Sequence, residues 1–300
     1  MTVEAYARQW LEQARPRLKP RTYKLYEGYI DNVIVPAIGS NALRSVAAQQ
    51  VREWVAGLDA RYPTRNANSY ALLRTICGQA VEDELLEANP CRVKGAAVKH
   101  RKVEPVALSP NDIRALADAV PKRYKALVLL AGFSGLRFGE LTALHRGDVV
   151  TKKGAAVVHV RRGVTWVDGK PVEARPKSRA GLRSVPLPDA VASALAEHIG
   201  EYAEPGRDGL VFPAAHGGHM REASVREPFR NAARSLGWPK VRLHDLRHSY
   251  ATTLAQTGAT LSEHMQIMGH SSVAMSARYI SAGASVSDRM RSLAEDAARG

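Results

Sequence analysis

The placing of helix breakers and apolar residues between Leu243 and Tyr279 leaves this segment few ways to fold. Leu246, Tyr250 and Leu254 recur every fourth residue, with Ala251 beside Tyr250, which makes one apolar stripe of a helix. Gly258 follows the last periodic residue and reads as its C-terminal cap. Residues 261–268 predict a second short helix that Gly269 breaks, and Ser271 and Ser272 offer caps for a third over residues 273–280. Three short helices in succession then present His244, Arg247, His248, His270 and Tyr279 within 36 residues. His244 and Arg247 are three apart and share one face of a first helical turn. A helix N-terminus, with free N–H groups and partial positive charge, favours an anion. Arginine, histidine and tyrosine gathered there are suited to hold a phosphate beside a phenol.

Composition points the same way. The formal charge is +14, of which residues 1–100 hold +4 and residues 101–300 hold +10, gathered at Lys99–Lys102 and Arg175–Arg183. A polyanion is the partner such a balance suits, because each phosphate contacted releases counterions. Three hundred residues suggest one or two domains, and 45% hydrophobic residues can fill a core. No apolar run reaches 18 residues and no signal-peptide core opens the chain, so a cytoplasmic protein away from membranes is expected. Cys77 and Cys91 read as reduced thiols.

Residues 1–90 predict four helices and no strand. They run from Thr2 to Ala14, from Pro20 to Val35 with Pro36 and Gly39 ending it, from a Ser45 cap through Leu58, and from Arg65 to Glu87. Lys19, Arg21 and Lys24 crowd one helix start, within reach of a DNA backbone or simply solvated. Residues 92–107 read as a basic linker with Lys99, Arg101 and Lys102, either a tether or a strap across a duplex. A second domain, 108–300, opens with Ser109-Pro110-Asn111-Asp112, an N-cap followed by proline and an acid. An apolar helix over 124–133 leads into Gly135-Leu136-Arg137-Phe138-Gly139-Glu140, a turn that puts Arg137 near a helix start. Strands are expected over 155–160, 164–167, 172–174 and 183–187, with Asp168-Gly169 as a hairpin turn. Lys177 then lies at the rim of a small antiparallel sheet, in the basic turn 176–181 that also holds Arg179, with Arg183 just beyond. Helices are expected to resume at 189–199 and 224–236. The fold class is mainly α with a small antiparallel sheet (α+β). His244 and His248 have the spacing of a zinc pair, but no Glu stands between them and the cysteines are far away, so no metal is expected.

Taken together, Arg137 in Gly-Leu-Arg-Phe-Gly-Glu-Leu, Lys177 in a hairpin, His244 with Arg247, Gly269-His270, and Tyr279 nine residues after His270 resemble the tyrosine recombinase (phage integrase) family. The resemblance spans nearly the whole chain and is strongest from Arg137 to Ile280. It implies a two-domain DNA clamp: a four-helix core-binding domain over 1–91, the linker, and a catalytic domain with a tail over 281–300 that joins protomers. It implies a site-specific integrase of a phage or mobile element, acting on double-stranded DNA as a homotetramer, with an accessory DNA-bending or directionality protein as a further partner. It implies that Tyr279 attacks a phosphodiester to give a 3′-phosphotyrosyl link, that Arg137 and Arg247 hold the non-bridging oxygens, and that Lys177 protonates the leaving 5′-oxygen. His244 and His270 either donate hydrogen bonds or accept the phenol proton, and Glu140 orients Arg137. Neither nucleotide nor metal cofactor is implied. DNA-contact candidates are Lys19, Arg21, Lys24, Arg65, Arg74, Lys99, Arg101, Lys102, Arg179 and Arg183. Family members often carry a small extra domain ahead of the helical part, and none is read in this sequence. Two rivals remain: a type IB topoisomerase with the same chemistry, and a silent DNA-binding regulator of the same fold.

Overall fold

The computed structural model of the protein describes residues 1–98, 105–152, 155–176 and 178–283. The chain divides into two compact units, Met1–Glu104 and Pro105–Gly300. The fold is mainly helical with small antiparallel sheets.

The first unit packs α1 (Val3–Ala14), α2 (Pro20–Tyr29), α3 (Val35–Ile38), α4 (Ala48–Ala56) and α5 (Pro63–Glu82) around Tyr6, Leu11, Ile30, Ile34, Val51, Tyr70, Leu73 and Ile76. Trp54 is buried there, and its indole N–H donates to the Val33 carbonyl at 3.2 Å. Three details depart from the sequence reading. Pro36 does not end the second helix. The ladder widens to a π-turn over Ile30–Ile34, and the chain continues through Pro36 to Ile38. Proline has no N–H to give to the ladder, and a wider turn just ahead of it absorbs the mismatch. Ser45 is not the cap of α4. It closes a 3₁₀ turn, its hydroxyl donating to Ala42 at 2.8 Å, while the N–H of Ala47 is taken by Gln50 at 2.9 Å. Helix α5 stops at Glu82 rather than Glu87, where Glu84 turns into the left-handed region at φ 58°.

The second unit begins with α6 (Pro110–Ala119), capped as expected: the Ser109 hydroxyl accepts from the Asp112 N–H at 3.2 Å, and Asp112 accepts from the Ser109 N–H at 3.0 Å. Helix α7 (Lys122–Ser134) is apolar nearly all round and is the centre of the core, and the four-residue α8 (Phe138–Leu141) follows it. Two small sheets replace the single one expected. Strands β1 (Val149–Lys152), β2 (Ala155–Val160) and β5 (Arg183–Pro186) form one, in the order β1-β2-β5. Strands β3 (Gly163–Val167) and β4 (Lys170–Ala174) form a separate hairpin, turned by Asp168 and Gly169 at φ 48° and 75°. Glu173 ties that hairpin to the body through His145 at 3.3 Å and His219 at 3.2 Å. The rest is helical: α9 (Asp189–Tyr202), α10 (Glu222–Ser235), α11 (Leu243–Gln256), α12 (Leu261–Met268) and α13 (Val273–Gly283). The basic turn contains a 3₁₀ turn, Arg179–Gly181. Lys99, Arg101, Lys102, Lys177 and the tail beyond 283 lie outside the described residues, as does the side chain of Arg179. No helix among the described residues is long and apolar enough to cross a membrane.

Candidate active site

Helix α7 ends at Gly135, whose φ of 64° sends the chain back across the end of α12. A Cβ at Gly135 would stand 2.7 Å from the Tyr250 ring and 2.8 Å from the Met268 sulfur, so both the conformation and the space call for glycine. Two residues on, Arg137 is the N-cap of α8. Glu140 fixes it there: its carboxylate accepts from the Arg137 N–H at 2.9 Å and from the Arg137 guanidinium at 2.8 Å. The same carboxylate accepts from Arg183 at 2.9 Å. The sequence alone places Arg183 among the DNA-contact candidates. It is instead buried, 9% exposed, and its Nε has no hydrogen-bond partner among the described residues. Burial pushes the Glu140 carboxyl up, but the charge and hydrogen bonds of Arg183, then those of Arg137, outweigh it and hold it below the usual carboxylate range.

Helix α11 supplies the third guanidinium. Asp245, buried in its first turn, accepts from the Arg242 N–H at 2.9 Å and so caps it. His244 lies in that first turn with only part of its ring open to solvent, whereas Arg247, three residues later, is buried. Arg247 donates to the carbonyls of Gly135 and, at 2.6 Å, Met268. Arg137 donates to the carbonyl of Gly269 at 3.3 Å. Two guanidiniums thus end on consecutive carbonyls immediately before His270. Each has five N–H groups and uses two on partners among the described residues, which leaves three for an anion. Burial, then the charges of Arg137 and Arg183, pull Arg247 down to about 9 against the opposing pull of Glu140 and Tyr279. That depression measures an excess of positive charge: two of the three guanidiniums, those of Arg137 and Arg183, share the one Glu140 carboxylate.

Gly269 ends α12 at φ 63°, where a Cβ would meet the Arg183 guanidinium at 2.8 Å. The next helix, α13, carries Tyr279, whose hydroxyl lies 3.0 Å from Nδ1 of His248. The phenol ring lies 6.5 Å from the His270 ring, 23° from parallel, and 5.4 Å from the His264 ring. His270 and His264 are both buried and both hydrogen-bonded to Ser276.

The structure therefore brings Arg137, Arg247, His270, Glu140 and Tyr279 of one chain together, with His244 beside Arg247 across a small cavity lined by Leu136 and Phe138. Residues to which sequence reasoning assigns no role in the pocket are Arg183, His248, His264 and Ser276. His248 carried a signal, since it follows Arg247 directly. The others lacked one.

Burial first, with nearby arginines, holds His270 down at about 4 and lowers His244; burial likewise lowers His264 and His198. In the unfolded chain these rings take up protons near pH 6.5. In the folded chain they stay neutral to lower pH, so the unfolded state binds more protons on acidification and stability falls with it. The melting temperature should drop between about pH 7 and about pH 5, and His264→Gln should flatten that slope.

Comparison with known proteins identifies the family and the fold. The profile described as "Phage integrase family" matches residues 107–285, and that of "Phage integrase, N-terminal SAM-like domain" matches residues 2–58. A putative prophage phiRv2 integrase of Mycobacterium tuberculosis is 37% identical over 278 residues, covering 91% of this chain and 72% of its own length. The integrase of Mycobacterium phage FRAT1 is 32% identical over 300 residues, covering 98% of this chain and 89% of its own. Among solved structures, a Tn1549 transposon integrase in complex with a circular intermediate DNA has a TM-score of 0.81 at 22% identity, covering 99% of both chains. A lambda integrase dimer bound to a COC′ core site has a TM-score of 0.68 at 16% identity, covering 92% of this chain and 97% of its own. At those identities the likeness is one of fold. The chain belongs to the phage integrase family. Its activity is that class's: site-specific DNA recombination.

Proposed function

We propose that the protein integrates or excises a phage or related mobile element by cutting and rejoining double-stranded DNA at attachment-type sites through Tyr279. The observation that bears most on this is the pairing of Arg137 and Arg183 on the Glu140 carboxylate and of Arg137 and Arg247 on the carbonyls before His270, with a phenol on the next helix. A buried pocket with that surplus of positive charge accepts an anion, and the N–H groups left on Arg137 and Arg247 suit the non-bridging oxygens of a phosphodiester. Extra negative charge develops on those oxygens as the phenol attacks, so the pocket stabilises the transition state more than the ground state. The Tyr279 oxygen bonds to phosphorus and the bond from phosphorus to the 5′-oxygen breaks. The phenol proton passes to a histidine, and Lys177 supplies a proton to the leaving oxygen. Bond energy stays in the phosphotyrosyl link, so a 5′-hydroxyl from a second duplex reverses the step without nucleotide hydrolysis.

Lys19, Arg21 and Lys24 are exposed at the start of α2 and Arg74 is exposed on α5, while Arg65 lies over the Tyr62 ring at 4.5 Å. These side chains, with the basic linker, would grip DNA backbone as the core-binding half of a clamp. Four protomers on two duplexes, joined by the segment after Tyr279, would exchange strands in pairs, with an accessory protein setting direction.

A library of nicked duplexes tests the reading. Expected is a covalent adduct whose peptide map places the 3′-phosphate on Tyr279, and whose DNA joins to a second duplex bearing the same sequence. An adduct that never joins to a second duplex would favour a topoisomerase; binding without adduct would favour a silent regulator.

A further inference from the structure

We infer that Arg183 is a positioning residue of an electrostatic kind: it takes up the charge of Glu140, so that Arg137, held by the same carboxylate, keeps its own charge for the scissile phosphate. The inference deepens the proposed function and rests on its placing of a phosphodiester against Arg137 and Arg247.

A carboxylate that orients an arginine also cancels its charge. Glu140 accepts from the Arg137 N–H at 2.9 Å and from its guanidinium at 2.8 Å, and those two bonds fix where the side chain starts and where it ends. With no third group, Glu140 and Arg137 would be a neutral pair, and a neutral pair draws a phosphate weakly. Arg183 alters that sum. Its Nη2 donates to Oε2 at 2.9 Å and its Nη1 to Oε1 at 3.4 Å, so each carboxylate oxygen accepts from both arginines.

The two guanidiniums are not equivalent. The Arg183 side chain is 3% exposed and that of Arg137 is 42%. Arg183 is closed in by the carboxylate, by the Gly181 carbonyl at 3.3 Å and by the backbone of Gly269, where a Cβ would stand 2.8 Å from it. It has no route to a DNA backbone. The buried arginine therefore neutralises Glu140, and the open one meets substrate. Burial raises the Glu140 carboxyl, and the charge and hydrogen bonds of Arg183 oppose that rise more strongly than those of Arg137 do. The carboxylate owes its ionised form chiefly to Arg183, while its directional bonds still aim Arg137. Stability alone would not call for this arrangement, since buried ion pairs seldom outdo apolar packing. Arg137, Arg183 and Arg247 against Glu140 leave a surplus of two positive charges, and without Arg183 one remains.

That arithmetic can be tested by substitution in the full-length protein. Arg183→Gln removes one positive charge. Glu140→Gln combined with Arg183→Gln removes one charge of each sign and restores the surplus, and the amide oxygen introduced at position 140 can still accept from Arg137. Two quantities are read: cleavage of a nicked duplex, and the rise in melting temperature with inorganic phosphate at constant ionic strength. Arg183→Gln should slow cleavage about 10²-fold, and the double variant should regain about 10-fold of that loss. The phosphate response should shrink in Arg183→Gln and return in the double variant, and Arg183→Lys, which keeps the charge, should respond as the wild type does. A double variant no faster than Arg183→Gln overturns the inference, because lost packing is not repaired by losing a second partner. An undiminished phosphate response in Arg183→Gln overturns it too. If Arg183→Gln does not fold, the double variant decides: a phosphate response equal to that of the wild type upholds the charge role, and loss of that response overturns it. A wild type that forms no adduct, with phosphate responses in the expected order, upholds the charge role and removes the nucleophile reading instead, so the two fail separately.

Discussion

Tyr279→Phe should leave the protein folded and bound to DNA while lowering covalent adduct formation by roughly 10⁴-fold or more, as loss of a sole nucleophile does. The substitution removes one oxygen. The ring contacts with His248, His264 and His270, at 5.0, 5.4 and 6.5 Å, involve carbon atoms that phenylalanine keeps. What is lost structurally is the half-buried hydrogen bond to His248, a loss of about 0.5–1.5 kcal/mol. No other phenol stands ready among the described residues. Tyr250 packs against Gly135 on α11, and burial pushes its hydroxyl up, away from the reactive phenolate. Denaturing gels of protein trapped on a nicked duplex measure the adduct, and mobility shift measures binding. Persistent adduct in Tyr279→Phe would sink the assignment of the nucleophile.

Where local signals sufficed, the sequence predicted the structure well. Gly258 and Gly269 delimit α11 and α12, Asp168-Gly169 turns the β3–β4 hairpin, and Ser109 caps α6. Each of those depends on a few neighbouring residues. The misreadings involve partners far away in the chain. Arg183 closes a basic run and has no sequence mark to distinguish it from a solvated charge. Its burial depends on Glu140, 43 residues earlier. Strand β1 has only four residues and becomes a strand through pairing of Val149 to Lys152 with β2. His264 lies on an amphipathic helix where a histidine reads as core filler, and Ser276 is a small residue one turn before the tyrosine. Their relation to His270 exists only once α11, α12 and α13 have packed. The residues that bear charge toward the phosphate were thus legible as a pattern, while those that hold them in place were not.

Arg247→Lys should slow cleavage about 10²- to 10³-fold, the usual loss when one preorganised donor to a developing oxyanion is removed. The charge survives this substitution, so a large effect would show that geometry matters more than charge. Arg247 bridges the C-terminal turn of α7 and the end of α12 by donating to the Gly135 and Met268 carbonyls at once. A lysine ammonium is a single point on a flexible stem and cannot span both carbonyls and still face a phosphate. One carbonyl left buried without a donor would also destabilise the fold by about 1–3 kcal/mol, visible as a lower melting temperature. Inorganic phosphate separates the catalytic loss from the structural one. Because Arg247 is depressed by burial and by Arg137 and Arg183, an anion that enters the pocket relieves that repulsion and stabilises the folded state by linkage. The melting temperature of the wild type should therefore rise with phosphate concentration at constant ionic strength, and that of Arg247→Lys should rise less. Equal responses in the two proteins would mean that phosphate does not bind where the three guanidiniums meet, and the pocket would then lose its claim on the scissile group.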